Sequence, residues 1–225
     1  MWQTDRFVRA LVVDLDDTLV AASGAMRRAE RVLLELGIDR QAWKSTFQHW
    51  WSRFEAGEVA ASEMRYGRWA DLGLRGEAGV AADAAWRRAA FAGRLRNGAR
   101  AFLREARRAG FRVVILTNGT IDPQRLTIAR TGLVALVDGV IVTEEVGLHK
   151  PHPEPFRRAA ALAGVAPSEA AMVGDNFSTD IVGALGAGFC RAVWVTRRRA
   201  LPPSDPRLVV VRRLSDVLAA VSSPA

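Results

Sequence analysis

Hydrophobic positions along the chain follow two rhythms, and the switch between them divides it. Val8 to Val13 is an almost unbroken apolar run that stops in acids at Asp14, Asp16 and Asp17. A short run without polar alternation reads as a strand buried on both faces. From about Ala22 to Leu95 the spacing is helical throughout, with breaks near Gly37-Ile38-Asp39, Gly57 and Gly73 to Gly79. After Asn97-Gly98, helices at Ala99 to Ala109, Pro123 to Arg130, Pro153 to Ala163 and Ile181 to Gly186 alternate with strands. Those strands fall at Val113 to Leu116, Val140 to Val142, Met172-Val173, Arg191 to Val195 and Leu208 to Val211, with a closing helix from Ser215. The tail after Ser222 reads as disordered, and there is no internal repeat. Alternation of this kind predicts a parallel sheet with helices on both faces. The expected architecture is α/β: a Rossmann-like core of residues 1–20 and 96–225, with a helical domain, 21–95, inserted after the first strand.

The length of 225 residues and 49% hydrophobic content suffice for a core of that size. A formal charge of +8 raises the question of nucleic acid. The arginines, however, come as scattered pairs such as Arg27-Arg28, Arg87-Arg88, Arg107-Arg108, Arg157-Arg158 and Arg212-Arg213, mostly in helical patterns where they occupy solvated faces. Arg197-Arg198-Arg199 is the one tight run. No nucleic-acid partner is expected, and the positive field instead suits small anionic ligands. No segment approaches a membrane span, and the first apolar run, interrupted by Arg9, does not read as a secretory signal. The single cysteine, Cys190, excludes an internal disulfide, reads as a small core residue and fits a cytoplasmic location.

The chemistry sits where strands stop. Asp14 and Asp16, two residues apart at the end of the first strand, are placed to have distinct environments and distinct jobs. A carboxylate attacks phosphorus only when the substrate's charge is screened, so it needs a divalent cation and positive donors nearby. Thr117-Asn118-Gly119 ends the second strand with a hydroxyl and a flexible turn that offers N–H groups to phosphate oxygens. His149-Lys150-Pro151-His152-Pro153 sets an ammonium in a proline-stiffened loop, and Gly174-Asp175-Asn176 ends another strand with Asp180 one turn later. Of 32 Lys plus Arg, only Lys44 and Lys150 are lysine, which favours a role for a compact ammonium at Lys150 that a planar guanidinium would not fill.

These motifs, in this order from about Val8 to Asp180, resemble the phosphatase branch of the haloacid dehalogenase superfamily. That family's first motif reads D-x-D-x-[TV], matched by Asp14, Asp16 and Thr18. Its Ser or Thr, its Lys and its late acidic pair are matched by Thr117, Lys150, Asp175 and Asp180. The resemblance implies that Asp14 is the nucleophile and forms an aspartyl-phosphate. Asp16 first protonates the leaving alkoxide and then takes a proton from the hydrolytic water. It implies Mg²⁺ held by Asp14, Asp175 and the backbone carbonyl of Asp16, a cation that keeps several waters in such a sparse oxygen site. Thr117, Asn118, Gly119 and Lys150 would surround the phosphoryl oxygens. Asp180 would orient Lys150 or a metal-bound water, with Thr18 and Asn176 in support. Asp17 reads as a capping group.

In the resembling family the inserted helices form a cap that excludes water and selects the leaving group. Here Trp43, Phe47, Trp50, Trp51, Phe54, Tyr66 and Trp69 fall near helical spacing, chiefly as the cap's own core. Trp50 and Tyr66 are the candidates for substrate contact, ahead of His49, Arg53, Arg65 and the stretch Ser23 to Arg27. The partner expected is a small-molecule phosphate ester, a nucleotide or sugar phosphate being favoured, and the resemblance permits monomer or homodimer. Leu116-Thr117-Asn118-Gly119, Arg130-Thr131-Gly132-Leu133 and Glu144-Glu145-Val146-Gly147 followed by Lys150-Pro151 look most like pyrimidine nucleotidases and N-acylneuraminate-9-phosphatases, with phosphoglycolate phosphatases an alternative. Two other readings compete: a haloacid dehalogenase, which needs neither Asp16 nor a metal, and a signalling receiver phosphorylated on Asp without turnover.

Overall fold

The structure, a computed structural model, describes residues 8–91, 93–197 and 204–222. Arg198, Arg199 and the tail after Ser222 lie outside the described residues. Those up to Val20 and from Leu95 onward form one compact unit, and Ala21–Arg94 form a second.

The first unit opens with β1 (Ala10–Val13), and the second holds α1 (Ala22–Glu35), α2 (Arg40–Glu55), α3 (Ala61–Asp71) and α4 (Gly76–Ala90). The first unit then resumes with α5 (Ala99–Arg108), β2 (Arg112–Thr117), α6 (Ile121–Thr131) and β3 (Gly139–Val142). It continues through the short α7 (Thr143–Val146), α8 (Pro153–Leu162), β4 (Ala170–Gly174), α9 (Val182–Gly186), β5 (Arg191–Val195), β6 (Leu208–Val211) and α10 (Val217–Ser222). All strand pairs are parallel, in the order β3-β2-β1-β4-β5-β6. The fold is the α/β, Rossmann-like one that the sequence predicts.

Every residue of β1 is buried. Leu11 and Val13 join one apolar cluster with Phe102, Ile115 and Val173, while Ala10 and Val12 join another with Phe156, Met172 and Phe189. A strand covered on both faces has no polar alternation to display, which is why these segments read as continuous apolar runs. Burial of each Leu, Ile or Phe here contributes about 1.5–3 kcal/mol, so a rigid sheet results. The chain reverses direction across the sheet at β1, whose neighbours are β2 on one side and β4 on the other. Ligands of open α/β sheets bind beyond the strand ends at this kind of switch point.

Two details depart from the sequence reading. The four-residue α7 directly follows β3, where the sequence predicts no element, because it is too short to leave a periodic signal. Gly79 lies inside α4 rather than in a break; a Cβ there would stand 2.6 Å from the carbonyl oxygen of Leu74, so the residue permits a close approach.

The second unit is built around tryptophan. Trp43 lies with ring centroids 4.6 Å from Trp69 and 5.1 Å from Trp86, packed with Ala29, Leu33 and Ile38. Trp50 is likewise engaged within the unit. Its ring fills the space over Gly67, where a Cβ would come within 2.3 Å, and its Nε1 donates to Asp71 at 2.7 Å. Those contacts account for Trp50 as a packing residue of α2 against α3. Tyr66 remains 40% exposed, with the Arg65 guanidinium 5.2 Å from its ring centroid.

No described helix is long and apolar enough to cross a membrane. Cys190 makes no disulfide among the described residues and donates to the Ala170 carbonyl at 3.3 Å.

Candidate active site

Backbone register brings the candidate residues together. Val13 pairs with Ile115 of β2 and with Val173 of β4, so Asp14, one residue further, stands level with the ends of both neighbours. Its amide continues the ladder by donating to Val173 at 2.9 Å. Thr117 is the last residue of β2, and Asp175 follows the last residue of β4.

Lys150 links these ends. Its Nζ donates to Oδ1 of Asp14 and Oδ1 of Asp180, each at 2.7 Å, and to the Leu116 carbonyl at 3.1 Å. An ammonium has three protons, and all three are committed. Contact between Lys150 and a phosphoryl oxygen therefore requires one of these bonds to be shared. The loop that carries Lys150 is clasped by Asn118, whose Nδ2 donates to the Lys150 carbonyl at 3.0 Å while its Oδ1 accepts from the Lys150 amide at 2.9 Å. The side chain of Asn118 thus positions the lysine.

Asp180 is brought in by a wide π turn, Phe177–Ile181. Its Oδ2 accepts from the Asn176 amide at 3.1 Å, and it packs so closely on the end of β4 that a Cβ at Gly174 would lie 2.3 Å from that oxygen. Asn176 uses its own Oδ1 to cap this turn, accepting from the amides of Ser178 at 3.1 Å and Thr179 at 3.2 Å. Its support of the site is therefore through the turn. Thr18, fully buried, donates to Oδ1 of Asp175 at 3.3 Å. Asp17 holds the left-handed conformation (φ 58°) in the turn after Asp16, which a short polar side chain tolerates. Its amide bonds the Val20 carbonyl at 2.7 Å and its carbonyl accepts from Arg96.

Asp14, Asp175 and Asp180 each offer a carboxylate oxygen within 4.8 Å of the others. The carboxylate of Asp16 lies apart from that group, bonded at Oδ2 by Nε2 of Gln124 at 2.6 Å. The same nitrogen lies 2.9 Å from Oγ1 of Thr117 and 3.1 Å from the Asn118 carbonyl oxygen. Gln124 is a residue that the sequence reading misses. Gly119 fits its place: φ is +149°, and a Cβ there would stand 2.8 Å from Nε2 of Gln124.

Burial leads the electrostatics of the site, and acids that outnumber the cations add to it. Burial, reinforced by the charges of Asp180 and Asp16, raises Asp14 well above the usual carboxylate value against the pull of Lys150. Burial also raises Asp16, opposed by the Gln124 bond. Asp175 is pushed up to about 6 by burial and then by Asp180 and Asp17. Burial works to discharge Lys150, but Asp14 and Asp180 more than reverse it and keep the ammonium charged. Next in sequence, His149 is buried and lowered by that burial, with Nδ1 2.7 Å from Oγ1 of Thr143.

A family profile described as haloacid dehalogenase-like hydrolase matches residues 8–188. Phosphoserine phosphatase of Thermus thermophilus is 48% identical over 119 residues, 53% of this chain and 47% of that protein, so the match spans less than half of the relative's length. N-acylneuraminate-9-phosphatase of Homo sapiens is 28% identical over 212 residues, 87% of this chain and 85% of that protein. Among solved structures, a putative HAD-hydrolase from Bacillus subtilis bound to magnesium matches with TM-score 0.74 and 23% identity, covering 96% of this chain and 99% of its own. An L-2-haloacid dehalogenase from Xanthobacter autotrophicus matches with TM-score 0.74 and 25% identity, covering 97% and 100%.

Proposed function

Because the chain belongs to the haloacid dehalogenase-like hydrolase family, we propose that it is a magnesium-dependent phosphatase that hydrolyses a small-molecule phosphomonoester through an aspartyl-phosphate on Asp14. The observation that carries this reading is the convergence of Asp14, Asp175 and Asp180, the first and last of them bonded to one ammonium, with a further acid, Asp16, two residues from the nucleophile. A dehalogenase has no use for the leaving-group acid or for so many carboxylates. The names of the phosphatase relatives point the same way.

The donor set fits a hard divalent cation: oxygen atoms only, carboxylate and converging, with burial and then neighbouring acids raising Asp14 and Asp175. Asp14, Asp175 and the main-chain carbonyl of Asp16 would hold Mg²⁺, and Asp180 stays with Lys150. Bound there, the ion would screen the phosphoryl charge from the incoming carboxylate.

In the first step the Asp14 carboxylate attacks phosphorus, and the P–O bond to the leaving group breaks as Asp16 gives its proton to the departing alkoxide. Lys150 holds Oδ1 of Asp14 and so fixes the plane of the nucleophile. In the second step Asp16 takes a proton from water, whose oxygen attacks phosphorus and releases phosphate, restoring Asp14. Thr117 would donate to the transferring group. The helical unit would act as the cap that selects the leaving group, and a nucleotide or sugar phosphate is the favoured substrate.

The test is a panel of nucleotides, sugar phosphates, N-acylneuraminate 9-phosphate, phosphoserine and phosphoglycolate with Mg²⁺, run beside 2-chloropropionate. Phosphate release with turnover supports the reading, whereas chloride release, or stoichiometric labelling without turnover, overturns it. Asp14→Asn should remain folded and lose at least about 10³-fold in kcat. A variant keeping about a tenth of the activity would exclude Asp14 as nucleophile.

A further inference from the structure

Nothing in the sequence singles out Gln124, yet its amide joins two residues to which the proposed chemistry assigns different tasks. Gln124 is 4% exposed on α6. Its nitrogen lies 2.6 Å from the Asp16 carboxylate, 2.9 Å from the Thr117 hydroxyl and 3.1 Å from the Asn118 carbonyl. An ionised carboxylate and a carbonyl accept and cannot donate, so the nitrogen end of the amide, not the oxygen end, must face them. Once that end is fixed, the rest follows. The Thr117 hydroxyl receives an N–H and itself donates to the Asn118 carbonyl at 3.3 Å, a long bond whose proton can turn to an oxygen of the substrate. Asp16 is held by Oδ2, which leaves Oδ1 as the atom that exchanges a proton.

The local backbone is shaped around this contact. A side chain at position 119 would collide with Gln124, its Cβ standing 2.8 Å from Nε2 and 3.0 Å from Cγ, and φ of +149° is open to glycine at low cost.

We infer that Gln124 is a positioning residue for proton transfer, its single amide fixing the carboxylate plane of Asp16 and the polarity of the Thr117 hydroxyl. The inference deepens the phosphatase reading and rests on it. Asp16 must meet the leaving oxygen in one step and a water in the next from the same place, and a carboxylate rotating freely about χ2 would be misaligned for both. The Thr117 contribution touches every phosphate ester alike. The Asp16 contribution matters in proportion to how badly the leaving group needs a proton.

That proportionality supplies a test that loss of structure cannot mimic. Gln124→Met keeps length and approximate volume and removes both N–H groups. The second-order constant kcat/KM covers only the steps through formation of the aspartyl-phosphate, so hydrolysis of the intermediate does not enter. The probes are a simple alkyl phosphate, whose alkoxide leaves poorly without a proton, and p-nitrophenyl phosphate, whose phenolate needs none. Gln124→Met should lower kcat/KM about 30-fold on the alkyl ester and about threefold on the nitrophenyl ester, less than the roughly 10²- to 10⁴-fold that a general acid itself supplies, as expected of a residue acting through one. Placed on Asp16→Asn, the same substitution should add no further selective loss, as expected of residues acting through one another.

Equal losses on the two esters, or none on either, overturn the inference while leaving the phosphatase intact. A wild-type protein inactive on every ester overturns the phosphatase reading and this inference with it. If Gln124→Met does not fold, Gln124→Glu, equal in shape and lacking the donor when ionised, should show the same selectivity between esters, and its absence there is equally decisive.

Discussion

Each unit buries a charge cluster, and the two are opposite in sign. In the helical unit a single carboxylate, Asp83, meets Arg65 at 2.8 Å, Arg68 at 3.0 Å and Arg87 at 3.9 Å, and accepts from Nε1 of Trp69 at 3.1 Å. Burial alone would raise Asp83, but the bonds from Arg65, Trp69 and Arg68 hold it below the usual carboxylate value. Arg68 in turn lies with its guanidinium carbon 4.7 to 5.9 Å from the ring centroids of Trp86, Trp43, Phe47 and Trp69. Its Nε has no hydrogen-bond partner among the described residues, and the guanidinium lies over aromatic rings instead. In the core unit a single ammonium, Lys150, serves several acids, and Asp14, Asp16 and Asp175 are all raised. An acid encircled by permanent cations is at rest. Acids that outnumber their cation are at rest only with a proton or a metal, and that readiness is what suits the core cluster to catalysis.

The contrast is broken most severely at Lys150. Lys150→Arg keeps the charge, but a planar guanidinium cannot reproduce bonds of 2.7, 2.7 and 3.1 Å from one atom in a site 3% exposed. Turnover should fall at least about 100-fold in steady-state assays, and wild-type kinetics would show that a compact ammonium is unnecessary.

Asp83→Asn should act on stability instead, because it leaves Arg68 buried without its counter-charge. The expected cost is about 3 kcal/mol by denaturant unfolding, with kcat/KM on p-nitrophenyl phosphate kept within about threefold. Lost activity at unchanged stability would reverse the assignment of roles.

The smallest effect sharpens the comparison. Asp175 titrates at about 6 rather than 3.8, so the folded state binds its proton more tightly, and stability from this group falls as pH rises through that window. The Mg²⁺ proposed above would compete with the proton for the same oxygens. The rise in Tm caused by Mg²⁺ should therefore be larger at about pH 7 than at about pH 5, by a few degrees in a thermal-shift assay. Equal shifts at both values would remove Asp175 from the cation site.

Much of the core was legible because its signals are local. Strands β1, β2 and β4 are short apolar runs, and the groups at their ends interrupt those runs abruptly, so both the sheet and its chemistry appear in one reading frame. Gln124 is illegible for the opposite reason: on α6 it looks like any solvated helical glutamine, and its contacts depend on Gly119 and on the segment after β1 that carries Asp16. Asn176 follows Asp175 in sequence, but its task as a turn cap depends on a π turn that periodicity does not register. Trp50 offers the same lesson in the helical unit, since the packing of its ring on α3 depends on the missing side chain of Gly67, which helical spacing does not register.

One junction in the chain has an evolutionary corollary. Val20 and Leu95 bridge as antiparallel neighbours, and Arg96 binds the carbonyls of Leu19 and Asp17, so the polypeptide departs from the sheet and rejoins it at nearly the same point. To the strands, residues 21–94 amount to a hairpin tip. A lineage can lengthen, trade or redesign that excursion while the hydrolytic apparatus is inherited untouched.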